Sequence, residues 1–535
     1  MSELLVHKLQ VGLIVDSNSI TEWQRHALQN CQDLIQIKLV LSCENNISQK
    51  KFFKHGLYYL LNLCSIKNRQ ARDAPWLDLI NQSCQIENFK CQKQGIWQVI
   101  DEPTKLLIKN QNLDVLIKFG MNLLKDPQAI TTKYGVLSFH HGDPSLFRGR
   151  PAGFYELAQN VDRIGAVVQE LSNDLDAGKV RAFGTYKIFR HSYRKTLESL
   201  FLNSSTLLRQ AILNCLNDKT IELARNGENK RLPSNLSILN FVGKLSIRKI
   251  SHIASGLFLR KDWRIATASS LDFDSLNSIT QISLLEEFSK PDGVSFIADP
   301  FLLPRGKIIC EATKKNSVSG FLITLDKTRS NLVDTSILGP SKHLSFPFVI
   351  ENQGEVFILP EMAEHGSQTI CKIDESDKIV RSQKLLGLEN EKLVDPVLLF
   401  KDHIWWLFAG KSGSEADQLF LWSSTELLGP YSPHCMNPIV IDPSRARNAG
   451  AFVEKNGNLF RVGQDNCRNY GDGITVCQVL QLDKNAYQES PVTRLRIAGF
   501  SGPHTYSTSG GNTLVDYYQT IFDPLAWWAR VKSKF

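Results

Sequence analysis

"DPVLLFKDHIWWLFAG" runs from Asp395 to Gly410. It is an apolar run, a polar turn at Lys401-Asp402-His403, and a second apolar run, which reads as two strands of a hairpin. The same texture recurs as "DPFLLPRGKIICEA" from Asp299, "FPFVIENQGEVFILPEM" from Phe346, "AGAFVEKNGNLFRVGQD" from Ala449 and "HTYSTSGGNTLVDYY" from His504. The starts lie 47, 49, 54 and 55 residues apart. Hairpins at a spacing near fifty predict four-stranded propeller blades, and five copies predict five blades. "GLFLRKDWRIATAS", near residue 260, supplies an extra strand that would close the ring with the last blade. The competing architecture is an irregular β-sandwich.

Upstream the texture differs. "KLQVGLIVD" (Lys8–Asp16), "LIQIKLVLS", "LDVLIKFG" (Leu113–Gly120), "YGVLSFH" (Tyr134–His140) and "RIGAVVQEL" (Arg163–Leu171) are apolar runs separated by polar or helical stretches. Continuous apolar runs mark strands buried on both faces, and their alternation with helices marks an α/β sheet. Ser17, Asn18 and Ser19 offer caps for a helix over "ITEWQRHALQNC", and "YRKTLESLFLNSSTLLRQAILNCL" reads as one long amphipathic helix. The first strand is not followed by GxGxxG, which argues against a dinucleotide-binding version of the fold. The expected organisation is a Rossmann-like α/β domain over 1–225, a linker over 226–254 introduced by "NGENKRLPSN", and an all-β five-bladed propeller over 255–535.

Composition narrows the function classes. The chain has 535 residues, 42% hydrophobic and 22% charged, as in an ordinary globular protein of several domains. No apolar run is long enough to span a bilayer. No signal peptide is read, and eleven scattered cysteines without a CxxC pair predict reduced thiols in a cytoplasmic protein and no metal site. The net charge of +8 is partly local, with Arg148, Arg150, Arg181, Lys187, Arg190, Arg194 and Lys195 close in sequence. That cluster is either a solvated face or an attractor for an anionic ligand. Nucleic acid is not expected, since no basic stripe is interleaved with aromatics.

In "GVLSFHHGDPSLFRGRPAGFYEL" (Gly135–Leu157), a strand delivers His140 to the edge where open α/β sheets bind ligands. "SNDLDAGKV" then places Asp174 and Asp176 in a loop that a parallel sheet would put on the same edge. A His–Asp pair there would suit general acid–base chemistry. These segments resemble the formyltransferases that use 10-formyltetrahydrofolate, over roughly residues 10–215. Gly135, His140, Phe147, Arg148, Gly149 and Asp176 fall in register with the family pattern. The resemblance implies formyl transfer from 10-formyltetrahydrofolate to the amine of an amino sugar, with a nucleotide-linked sugar as the expected substrate. His140 and Asp176 would be catalytic, with Ser138 facing the oxyanion where the family has Asn. It implies a pterin pocket at Phe119, Gly120, Met121, Asn173 and Asp174. Substrate would meet His141, Arg148, Arg150 and Arg181.

In the second half the repeat starts converge on the axis of a propeller. They predict a glycan-binding centre lined by Asp299, Glu361, Asp395, Arg447 and His504, with Trp405, Trp406 and Tyr470 as candidate stacking faces. "ADP", "PEM" and "VDP" resemble arabinanase-like five-bladed propellers. "HCMNPIVIDPSRARNAGAF" resembles the propeller-like N-terminal region of glucosamine inositolphosphorylceramide transferases, over about 255–520. Two alternatives accompany the formyltransferase reading: a degenerate transferase fold with a lectin-like propeller, and a glycoside hydrolase whose propeller is the active part. Sequence leaves the oligomeric state undetermined.

Overall fold

The structure, a computed structural model, describes residues 8–16, 19–44, 52–66, 69–173, 178–273, 275–315, 317, 319–326, 329–339 and 342–532. The chain folds as two compact units, Met1–Lys249 and Ile250–Phe535.

The first unit is built on one seven-stranded sheet. Its order is Lys179–Lys187, Arg163–Glu170, Val136–His140, Val115–Lys118, Leu9–Asp16, Ile35–Cys43, Gln85–Phe89. The five strands from Val136–His140 to Gln85–Phe89 are parallel to their neighbours. Their apolar runs are buried as that arrangement requires: Val11, Leu13, Ile14, Leu39, Val40 and Leu116 are at most 1% exposed. Arg163–Glu170 departs from the expectation. It runs antiparallel to Val136–His140, with Leu137 opposite Glu170 and His140 opposite Val167. The segment after Glu170 therefore leaves beside the beginning of the His140 strand, not beside its end.

Helix boundaries also differ from the sequence expectation. The first helix is Glu22–Gln29, and Thr21, not the Ser17–Ser19 segment, precedes it; the Gln24 side chain accepts the Thr21 N–H at 2.8 Å. The expected single helix over 193–216 is two, Tyr193–Ser204 and Leu207–Leu216. The break falls at Ser204-Ser205-Thr206, whose hydroxyls donate to the Phe201, Leu202 and Asn203 carbonyls and compete with the helical ladder. In place of a linker, residues 226–254 hold the short strand Glu228–Lys230 and most of the 24-residue helix Asn235–Phe258.

Among the described residues the second unit contains five separate sheets of four or five strands. Leu259–Ala268 pairs antiparallel with Asn512–Phe522, from Leu259 opposite Phe522 to Thr267 opposite Leu514, so the strand near residue 260 does join the last sheet. Three of the five sheets share one irregularity. In Val294–Leu302, Ser345–Asn352 and Leu393–Lys401 the register slips by one residue, at Asp299-Pro300, Phe346-Pro347 and Asp395-Pro396. Proline has no N–H to give the ladder, so a bulge is the place a strand tolerates it. The residue before each proline is left-handed, with φ of +52° at Asp299, +45° at Phe346 and +47° at Asp395. Asp tolerates that region through its short polar side chain, whereas Phe346 is strained there. Packing holds it: Phe346 is fully buried, with the Phe301 ring 5.0 Å away.

Candidate functional site

The bulges at Asp299 and Asp395 bring their carboxyls into one polar cluster, and the Phe346 bulge adds its N–H. Asp299 Oδ2 accepts the Phe346 N–H at 3.3 Å, Asp299 Oδ1 accepts from the Thr505 hydroxyl at 2.8 Å, and the Asp299 N–H donates to Asp516 at 3.0 Å. Asp516, fully buried on the last strand, also accepts the N–H groups of His504 and Thr505 and faces His504 Nδ1 at 2.6 Å. Tyr470 stands at the other ring nitrogen, its hydroxyl 2.8 Å from Nε2. On the opposite side Arg447 grips Asp395 through Nε and Nη2, and Gln464 donates to the same carboxylate at 3.1 Å. Glu361 accepts the Asp395 N–H at 3.2 Å and lies 4.0 Å from Arg447. The Arg447 guanidinium lies 5.0 Å from the centre of the Tyr470 ring and links the two halves.

Charge in this cluster is unequal. Asp299, Glu311, Glu361, Asp395 and Asp516 bring five carboxyls, against Arg447 and His504. Burial decides which stay ionised. It pushes Glu311 and Glu361 well above the usual carboxylate range, with nearby carboxylates adding to the shift. Burial raises Asp299 to about 6, His504 opposing and Asp516 and Asp395 adding. Burial acts the same way on Asp516, but the His504 charge and its hydrogen bonds outweigh it and hold that carboxyl below its usual value. For His504, burial favours the neutral ring, and Asp516 and Asp299 overcome it, so its value is raised. The pairs Arg447–Asp395 and His504–Asp516 thus sit beside two glutamic acids whose carboxyls burial biases toward the neutral form.

All five residues expected at the centre, Asp299, Glu361, Asp395, Arg447 and His504, lie in this cluster. Glu311, Gln464, Thr505 and Asp516 were not expected. Asp516 had a signal, being a lone acid inside the apolar run "TLVDYY". Glu311 had none, because only the pairing of Ala298 with Glu311 brings it near Asp299. Trp405 and Trp406 do not face the centre: both are buried in hydrophobic cores at the far end of their hairpin, by the Lys401–Ile404 turn. Trp263 takes the aromatic role instead, its ring 4.5 Å from His504.

Asp299, His504 and Asp516 bring one ligand atom each within 4.8 Å of one another, the one such trio among the described residues. Within the trio His504 Nδ1 and Asp516 face each other at 2.6 Å, while the Asp299 carboxylate accepts from Phe346 and Thr505.

In the first unit Ser138 and His140 line one cavity at the edge of the sheet. Asp174 and Asp176 lie outside the described residues, and Asn173 is exposed. Gly120 serves a close approach: an added Cβ would stand 2.5 Å from the Val15 carbonyl carbon. Met121, left-handed at φ +62°, donates its N–H to Asp16, and Phe119 packs edge-on to Trp23. His141 is turned away from His140 into a nest of Trp23, Phe139 and Phe201, with Nε2 3.1 Å from the Ser204 hydroxyl. Burial pushes it down to about 3, with His140 adding, so it is a neutral packing residue and not a substrate contact. Arg181 is buried and consumed by Glu170, Asp218 and the Lys219 carbonyl. Arg148 donates to the Gly227 carbonyl in the small sheet with Glu228–Lys230. Arg150 is exposed. The basic cluster is thus partly structural and does not converge on one ligand.

Residues 263–502 match the family model described as "Glucosamine inositolphosphorylceramide transferase 1, N-terminal". A rice protein (Oryza sativa subsp. japonica), glucosamine inositolphosphorylceramide transferase 1, is 30% identical over 210 residues, covering 37% of this chain and 28% of the relative. The chain therefore spans less than a third of that relative's length. Among solved structures, an α-L-arabinanase from Cellvibrio cellulosa covers 37% of this chain and 78% of its own at 13% identity and a TM-score of 0.28. A sugar 3N-formyl transferase covers 42% and 70% at 12% identity and a TM-score of 0.26. Neither structural likeness is close enough to carry an argument about function. The named relatives overturn the formyltransferase expectation. They are transferases of glucosamine inositolphosphorylceramide, so formyl transfer, an enzyme of that class and 10-formyltetrahydrofolate as cosubstrate are withdrawn. The substitution of Ser138 for the family Asn fits that correction, since it shortens the oxyanion donor. The relatives favour neither of the two alternatives over it.

Proposed function

We propose that the chain serves glycan assembly by sugar transfer, and that residues 250–535 form a five-bladed propeller whose centre holds the carbohydrate. The observation that carries this reading is the cluster itself. Residues from several sheets converge, and they bring carboxyl groups, a guanidinium, an imidazole and a phenol within a few ångströms of one another. Such a mixture suits a ring bearing several hydroxyls, each of which both donates and accepts. The excess of carboxyls over cations favours an amino sugar, whose ammonium completes the charge balance. The family match over 263–502 supports the same ligand class, since the relatives are named for glucosamine inositolphosphorylceramide. Glu361, Arg447 and Tyr470 are the more exposed members and would meet the ligand first.

Saturation-transfer NMR with glucosamine, N-acetylglucosamine and myo-inositol tests it. Glucosamine is expected to give the strongest transfer, and Glu361→Gln with Arg447→Met to abolish it. Equal, non-competing signals from all three ligands, unchanged in the variant, would overturn the proposal.

A further inference from the structure

We propose that the cavity at the sheet edge of the first unit is a carbonyl-capturing site, in which Lys118 Nζ adds to a small aldehyde or ketone and forms an imine. The site is independent of the carbohydrate centre. Lys118 ends the strand Val115–Lys118, and its register partners are Ile14 on one side and Ser138 on the other. Ser138 is in turn opposite Gln169. Lys118, Ser138 and Gln169 thus form a polar row across three neighbouring strands, and partners in register share a face. His140, two residues beyond Ser138, lies on that face too. All four line a cavity of about 160 Å³, with Trp97 and Leu124 in its wall. The ammonium donates to the Met121 carbonyl at a long 3.3 Å.

An amine becomes a nucleophile when its environment disfavours the ammonium. Burial does so here, pushing Lys118 down to about 8, with the Asp16 carboxylate opposing. Asp16 and His140 are the titratable groups that face it from the flanking strands. The step balances without an external oxidant or reductant. The Nζ lone pair attacks the carbonyl carbon, and the carbonyl electrons move to oxygen, where the Ser138 hydroxyl and the Gln169 amide stand as donors. That oxygen then takes protons and leaves as water, Nζ loses its remaining protons, and the C=N bond forms. His140 is placed to carry a proton between nitrogen and oxygen. The cavity's volume admits a carbonyl compound of a few carbons.

The full chain, treated with acetaldehyde and cyanoborohydride at neutral pH and digested for peptide mass mapping, reads the imine as a stable N-ethyl group. Lys118 should label faster than the exposed Lys109, because at pH 7 a pKa near 8 leaves roughly two hundredfold more neutral amine than the ordinary value. Ser138→Ala should slow labelling at Lys118 and leave Lys109 unchanged. Labelling of Lys118 no faster than Lys109 in the wild-type protein overturns the proposal, and so does a Ser138→Ala protein in which both sites label as before.

Discussion

Arg447 and Asp395, 52 positions apart, form a two-point ion pair, Nε and Nη2 against the two carboxylate oxygens. The pair is nearly dry: Asp395 is 3% exposed and Arg447 16%. An ion pair in such a place is costly to break from one side, because the survivor is left charged without a partner.

Arg447→Met is therefore expected to destabilise the second unit by about 3–5 kcal/mol. Adding Asp395→Asn should recover part of the loss, since the stranded charge is then removed. Urea unfolding followed by tryptophan fluorescence in the two single variants and the double variant measures the coupling. Strict additivity would show that the two residues do not act as a pair.

His504 should make the second unit alkali-sensitive. Its folded value lies above the ordinary histidine value of 6.5 because Asp516 and Asp299 outweigh burial. A raised value contributes stability that is complete below pH 6.5 and fades as pH climbs through the folded value. Thermal unfolding midpoints should decline over that alkaline window in the wild type and flatten in His504→Gln. An equal slope in both proteins would assign the effect elsewhere.

His141 has the opposite sign. Its folded value of about 3 lies below 6.5, so the first unit favours the neutral ring. The contribution is present above pH 6.5 and is lost as pH falls, by about 1.4 kcal/mol per unit until the buried ring titrates. His141→Phe keeps the aromatic contacts with Trp23 and Phe201 and loses the hydroxyl partner Ser204. It should be less stable at neutral pH and less acid-sensitive. Circular dichroism melts between pH 4 and pH 7 report the crossing.

Gly120→Ala should destabilise the first unit by at least about 1–3 kcal/mol. The new Cβ would meet backbone, the Val15 carbonyl carbon at 2.5 Å and the Asp16 nitrogen at 2.6 Å, and neither can rotate away as a side chain tip does. Chemical denaturation against the wild type is sufficient. A neutral result would mean that the strand ends Asp16 and Lys118 shift apart freely.

Sequence carried the architecture where one residue type had one meaning. Apolar runs such as Leu9–Asp16 and Val136–His140 are strands because nothing else buries both faces of a short segment. Asp299 and Asp395 were legible because each precedes a proline at the same place in a repeat. The left-handed bulge they share was not legible, since φ is set by the broken ladder and not by the Asp-Pro pair alone. Phe346 shows this best: it occupies the same bulge with no acid and serves the core. Direction was also hidden. "RIGAVVQEL" is equally apolar read either way, so the antiparallel run of Arg163–Glu170 had no signature. Arg181 looked like ligand chemistry in a basic stretch, and only the proximity of Glu170 and Asp218 identified it as structural.

The antiparallel pairing of Leu259–Ala268 with Asn512–Phe522 carries a consequence for biosynthesis. A strand made early must wait for more than two hundred later residues before its partner leaves the ribosome. Until then its hydrogen-bonding edge is open, as is the half-built centre that Asp516 completes. A nascent chain stalled before residue 512 should therefore be a client for chaperones and sensitive to proteases, and acquire resistance in a single late step.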